Sequence, residues 1–252
     1  MIVFDIETGA LPEKIVLERN PDFKPPEPLG EFDESTVKTG ALKDPEKIAA
    51  KISAARKKHE LAVAEFETKT AVAKITYEKE LLDRAALSPL TGRIVAIGYK
   101  SEKGKAIKIA RTEDCEREII AEFWRKFESC NKQSRRIVGH NIFNFDLTFL
   151  LRRSWLLDVA IPDGVIDRDR YWNDRVFCDT MKRWQCGNYG EKFVKLETLS
   201  QATGGTGKPD GVTGAMFAEL INGSEDQQKI AVDYLDNDIE MTWNVAVALG
   251  IR

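Results

Sequence analysis

The sequence is poor in the residues that build metal clips and covalent staples. It holds two histidines and four cysteines in 252 residues. The cysteines, at positions 115, 130, 178 and 186, form no CxxC pair, which argues against a structural zinc site. They are also too sparse for a disulfide scaffold, so a reducing, cytoplasmic setting is expected. No apolar run approaches the roughly 18 residues that read as a membrane span. The first residues carry no basic n-region and no cleavage site, so no signal peptide is expected. A surplus of positive charge is missing too: 38 Lys and Arg against 41 Asp and Glu leave a formal charge of −3. A non-specific nucleic-acid coat would need the opposite balance. What is present, 42% hydrophobic and 31% charged residues, is a globular composition, enough for one large domain or two small ones.

Residues 2–7 (IVFDIE) are β-branched and aromatic, as a buried strand requires. Residues 9–42 hold Pro12, Pro21, Pro25, Pro26 and Pro28, and are expected to drape over the surface without regular structure. Asp44-Pro45 then opens a helix, with Asp as cap and Pro in the first turn. Residues 46–87 contain neither Gly nor Pro. They read as one very long helix or, in preference, an antiparallel helical pair, stopped by Ser88-Pro89. A hairpin follows over 93–99 and 105–110. Next come a helix over 113–130, a short strand at 137–139, a helix start at 145–153, a fifth strand at 175–178 and a helix at 180–184. A short helix over 195–203, a glycine-rich loop over 204–214 and a last helix over 226–249 complete the chain. This order predicts an α/β fold with a mixed sheet.

Carboxylates recur in three places. Asp5 and Glu7 lie two apart on the first strand, hence on one face and about 7 Å apart along it. They are a divalent-metal pair or a strand end meeting solvent. Asp146 follows Gly139-His140-Asn141-Ile142-Phe143-Asn144-Phe145 at a strand-to-helix junction, where open α/β sheets place ligands. It also suits the helix dipole. Tyr234 and Asp238 share one face of the last helix, inside an acidic run that could equally be a solvated face.

Taken in this order, the three patterns resemble the Exo I, Exo II and Exo III motifs of the DEDD (DnaQ-like) superfamily of 3′–5′ exonucleases. FDIET gives Asp5 and Glu7, Asn141-x-x-x-Phe145-Asp146 gives Asp146, and Tyr234-x-x-x-Asp238 gives Asp238. The tyrosine four residues before the last Asp is similar to the tyrosine branch, the one of family-B polymerase proofreading domains. Asp236 is a rival for the last ligand but lacks that spacing.

The resemblance implies a ribonuclease H-like fold with a five-stranded sheet. It implies a single exonuclease domain over 1–252, with a proline-rich loop 9–42 and a helical insertion 43–88. It further implies two divalent ions, Mg²⁺ or Mn²⁺, on Asp5, Glu7, Asp146 and Asp238, with Tyr234 orienting the attacking water. Thr8, His140, Asn141 and Phe145 are expected at the terminal nucleotide. The implied substrate is the 3′ end of mostly single-stranded DNA, cut to nucleoside 5′-monophosphates in proofreading or repair. A 3′–5′ exoribonuclease and a catalytically silent nucleic-acid binder are the alternatives. Since the motifs begin and end the sequence, no attached polymerase is expected. A polymerase or repair partner could dock on the insertion. Two divalent ions would also move the formal charge from −3 to about +1.

Other features are weighed against this site. Gly204-Gly205-Thr206-Gly207-Lys208 lacks the P-loop spacing, and Lys208 reads as a contact to substrate phosphate or, in preference, a solvated loop lysine. Asp179 is expected to cap a helix. Trp155, Tyr171, Trp172 and Trp184 lie among Arg152, Arg153, Arg168, Arg170 and Lys182, an interleaving that suits single strands.

Overall fold

The computed structural model describes residues 1–40, 44–165, 176–188, 190, 193–208 and 211–251. The first strand, β1 (Ile2–Ala10), lies at the centre of a five-stranded sheet. It pairs antiparallel with β2 (Gly92–Ser101), which pairs antiparallel with β3 (Gly104–Ile109). On its other side β1 runs parallel to β4 (Ile137–Gly139), and β4 parallel to β5 (Phe177–Asp179). The sheet is therefore mixed, in the order β3-β2-β1-β4-β5.

Alternation along β1 sorts its side chains between two faces. Phe4 and Ile6 join the core beneath α3 (Glu113–Lys132) and α4 (Asp146–Leu156). Its centre is aromatic: Phe4, Phe123, Phe177 and Phe127 form a chain of ring contacts, with successive centroids 4.9, 6.4 and 5.2 Å apart. Val3 packs on the opposite face against Ile239 and Ala246 of α8 (Glu225–Ala248). Asp5 and Glu7 share the face of Val3, so the strand's own period aims them at α8.

Gly98 of β2 sits opposite Asp5 in the ladder. A Cβ there would meet Leu235 at 3.0 Å and Ile239 at 3.2 Å. The missing side chain lets α8 lie close over the sheet beside Asp5. A buried ion pair braces the other layer. Glu116 of α3 accepts from Arg153 Nε and Nη2, each at 2.8 Å, and from the Ile94 amide at 2.8 Å. Arg153 Nη1 donates to the Pro89 carbonyl at 3.2 Å.

The chain divides into two compact units, Met1–Val16 with Ala85–Arg252, and Leu17–Arg84. In the second, the expected helical pair is replaced by one continuous helix, α2 (Pro45–Ala85), of 41 residues. With no Gly or Pro inside it, nothing interrupts its hydrogen-bond ladder. Its partner is the proline-rich stretch. Tyr77 Oη donates to the Pro21 carbonyl at 2.7 Å, His59 Nε2 bonds the Gly30 carbonyl at 2.9 Å, and Arg56 pairs with Glu34. That stretch is also more regular than expected. β1 runs on to Ala10, Pro12 starts the short helix α1 (Glu13–Glu18) by accepting from Ile15 and Val16, and Glu34–Thr36 form a 3₁₀ turn. Proline at a helix start costs no hydrogen bond. The glycine-rich loop leads into a further helix that was not expected, α7 (Gly214–Leu220). Among the described residues, no helix is long and apolar enough to cross a membrane.

Candidate active site

Asp5, Glu7 and Asp238 converge where β1 meets α8. One oxygen from each lies within 4.8 Å of the others. Glu7 is 7% exposed and Asp238 5% exposed. Asp238 Oδ1 is buried with no hydrogen-bond partner among the described residues. A lone buried carboxylate oxygen is costly. An oxygen-rich acidic cluster with one unanswered oxygen fits a divalent cation.

Asp146 reaches the same cavity from the first turn of α4, and its Oδ1 accepts from the Ile6 amide at 3.2 Å. It stands outside the three-carboxylate group yet pushes up the Asp5 carboxyl. All four acids are held above the usual carboxylate range. Burial is the main cause at Asp5, followed by the charges of Asp146, Asp238 and Glu7. At Glu7 burial is again first, followed by Asp238. Burial lifts Asp146 to about 7 against the Ile6 bond, and lifts Asp238 against the pull of Lys208.

The cavity around these groups encloses about 500 Å³. His140, Asn141 and Phe145, the residues read as contacts to a terminal nucleotide, line it. Thr8 is buried on β1 just past a register shift and does not line it. His140 is fully engaged: Nε2 meets the Val194 carbonyl at 2.8 Å and Nδ1 the Thr180 hydroxyl at 2.9 Å. Burial pulls its pKa down, which keeps the ring neutral. Asp179 caps α5 (Thr180–Gln185) through the Met181 amide at 2.9 Å. It also accepts from the Asn141 amide at 2.9 Å and the Phe143 amide at 3.3 Å, fixing the segment that carries the site. Asp236, the rival ligand, is turned to Lys105, whose Nζ donates to it at 2.6 Å.

Lys208 departs from expectation. Its Nζ donates to the Tyr234 hydroxyl and to Asp238 Oδ2, both at 2.6 Å, and lies 4.5 Å from the Tyr234 ring centre. The loop is built for this reach. The Lys208 amide donates to Glu197 of α6 (Leu196–Ala202) at 2.9 Å, Ser200 Oγ donates to the Thr206 carbonyl at 2.8 Å, and Asn237 donates to the Gly207 carbonyl at 3.4 Å. A Cβ on Gly205 would fall 2.5 Å from Ser200 Oγ, so only glycine fits the turn. Burial works against the ammonium, but Asp238 and Tyr234 outweigh it and raise its pKa. Burial also pushes the Tyr234 hydroxyl up to about 12, with Lys208 opposing. The signal missed in the sequence was the pair of close-packed glycines before a lysine. Their spacing fits no phosphate loop but does fit a tight turn.

The interleaved aromatic and basic residues lie in different settings. Arg153 is consumed in the Glu116 ion pair, while Trp155 and Trp184 are exposed. Arg168, Arg170, Tyr171 and Trp172 lie outside the described residues.

No curated protein matches the sequence. Among solved structures, the family B DNA polymerase from the hyperthermophilic archaeon Pyrobaculum calidifontis is similar, with a TM-score of 0.51 and 19% identity over 66% of this chain. The match spans 23% of that polymerase, so the likeness is one of fold. It supports the ribonuclease H-like architecture of the mixed sheet. A family model described as a predicted 3′–5′ exonuclease related to the exonuclease domain of PolB matches residues 87–249, which include Asp146, Lys208, Tyr234 and Asp238 but begin after Asp5 and Glu7. That span is well over half of the chain, and the protein belongs to this exonuclease family.

Proposed function

We propose that the protein removes nucleotides from the 3′ end of single-stranded DNA. Water attacks the last phosphorus, the bond from phosphorus to the preceding 3′ oxygen breaks, and that oxygen leaves with a proton. The products are a nucleoside 5′-monophosphate and a strand one residue shorter. The observation that carries this reading is the convergence of Asp5, Glu7 and Asp238 within 4.8 Å, beside an unpartnered Asp238 oxygen.

Those three side chains would hold divalent metal, with Asp146 serving a second ion. Mg²⁺ or Mn²⁺ supplies Lewis acidity and a more acidic water. Tyr234 positions the attacking water. With its pKa pushed up to about 12, the hydroxyl stays protonated at neutral pH and acts by hydrogen bonding rather than as a base. Lys208 holds that hydroxyl beside Asp238 and adds positive charge where the phosphate gains negative charge. Phe145 stacks on the terminal base and Asn141 bonds its sugar or phosphate. We read residues 1–252 as one exonuclease domain interrupted by an insertion. Exposed Leu61, Val72 and Ile75 on α2 support docking of a polymerase or repair partner there.

The test is degradation of end-labelled single-stranded DNA and RNA with Mg²⁺, Mn²⁺ or chelator. DNA should shorten from its 3′ end with metal only, and Asp5→Ala should abolish the reaction. Faster loss of RNA would make the protein an exoribonuclease, and loss of neither polymer would leave a silent binder. Tyr234→Phe should slow hydrolysis while leaving Mn²⁺ affinity largely intact.

A further inference from the structure

Phe193 lines the carboxylate cavity yet is 59% exposed, so its ring stands at the mouth rather than in the core. With most of its surface in water, the ring adds little hydrophobic stability. The backbone beside it is nevertheless held. The Val194 carbonyl meets His140 Nε2 at 2.8 Å, and His140 Nδ1 meets the Thr180 hydroxyl at 2.9 Å. The His140 ring also makes a T-shaped contact with Phe193, with centroids 6.3 Å apart. Both nitrogens and the ring of a half-buried histidine are thus committed around a segment whose own aromatic side chain stays open to solvent. Fixing an exposed ring serves a ligand better than it serves the core, because a preformed contact surface loses less entropy on binding. Two residues on, Lys195 lines the same cavity before the chain enters α6. Phe145 is the inner ring of the cavity: it precedes Asp146, is partly buried, and packs on Phe149 with centroids 5.6 Å apart.

A strand whose end reaches the carboxylates continues outward to solvent. Its last base therefore lies deepest, and the base before it lies at the mouth. A flat exposed ring with a cation two residues away suits a base and its phosphate. We propose that Phe193 stacks on the base preceding the terminal one. The inference rests on the exonuclease reading for the identity of the strand, and deepens it by naming a second base contact. A base stacked on a side chain has left its place in a duplex, so this contact selects ends whose last two nucleotides are unpaired.

The experiment measures binding of two fluorescent twelve-residue oligothymidylates to the full-length protein, with Ca²⁺ in place of Mg²⁺. One strand lacks the base next to the 3′-terminal residue, and the other lacks a base near its 5′ end. Wild type should bind the first about tenfold more weakly than the second, a loss in the range of one base stacked on one aromatic ring. Phe193→Ala should bind the two strands equally. Phe193→Leu should do the same, because leucine is apolar but not flat, and Phe193→Trp should restore the difference. Equal binding of the two strands by wild type overturns the proposal, and so does a difference that survives in Phe193→Ala. Shortening of the unmodified strand with Mg²⁺ is followed in parallel. If wild type fails to shorten it, the exonuclease reading falls while the binding comparison still decides the contact at Phe193.

Discussion

Asp146 Oδ1 accepts a hydrogen bond from the amide of Ile6, the residue between Asp5 and Glu7, at 3.2 Å. The second motif is thus tied through backbone to the first, 140 residues away in sequence. This bond lowers the Asp146 pKa, yet burial wins and leaves it at about 7.

That imbalance sets a pH dependence. An unfolded Asp titrates near 4, so between about pH 4 and 7 the folded chain binds more protons than the unfolded one. Stability without metal should therefore fall as pH rises through this window. Asp146 alone contributes on the order of 4 kcal/mol to this fall, and Asp5, Glu7 and Asp238 act in the same direction. Melting in chelator should drop from pH 5 to pH 8, and Mn²⁺ should recover it at pH 8. A melting point independent of pH would contradict the shifts.

Asp238→Asn should separate stability from activity. It removes one of the crowded charges, so melting in chelator at pH 8 should rise. Turnover should fall roughly a thousandfold, equivalent to about 4 kcal/mol of transition-state stabilisation. Thermal melts and the oligonucleotide assay on one preparation check both signs.

Lys208→Met should lower the turnover number roughly a hundredfold at saturating Mg²⁺, the scale of losing one charge-stabilising donor. The drop should be shared with Tyr234→Phe. The double variant should lose less than the product of the two single losses, because part of each acts through the same hydroxyl. Fully multiplying losses would mean that Lys208 acts through Asp238 or the phosphate and not through that hydroxyl.

Glu116→Ala leaves Arg153 buried and uncompensated. The expected cost is about 3–5 kcal/mol, or a fall of roughly 6–20 °C in melting temperature. Circular dichroism melting measures it. A change under 2 °C, roughly the effect of half a kcal/mol, would mean that water or rearrangement rescues the arginine.

The fold was legible where local pattern and tertiary environment agree. β1, the β2–β3 hairpin, α3 and α8 follow from β-branched runs, the Lys103-Gly104 turn and apolar stripes. Strand and helix periods put Asp5 with Glu7 and Tyr234 with Asp238, but Asp146 was singled out only by the resemblance to the exonuclease motifs. The buried Glu116–Arg153 pair was not legible, since each residue in isolation looks like an ordinary surface charge. Nor was Lys208, whose position depends on a turn packed against Ser200 and Asn237 from other elements. The second helix expected in 46–87 failed for a related reason. A run without Gly or Pro is compatible with one helix or two, and nothing local to it marks the proline-rich segment as its neighbour.

The central place of β1 also bears on biosynthesis. This strand leaves the ribosome before its neighbours β2 and β4, which begin at Gly92 and Ile137. It must wait as an unpaired apolar segment while they are made, the kind of long-range pairing that folds slowly and exposes chains to misassociation. The last ligand, Asp238, arrives only with α8. A chain cut short before that helix lacks the third carboxylate of the cluster, whether it carries one motif or two.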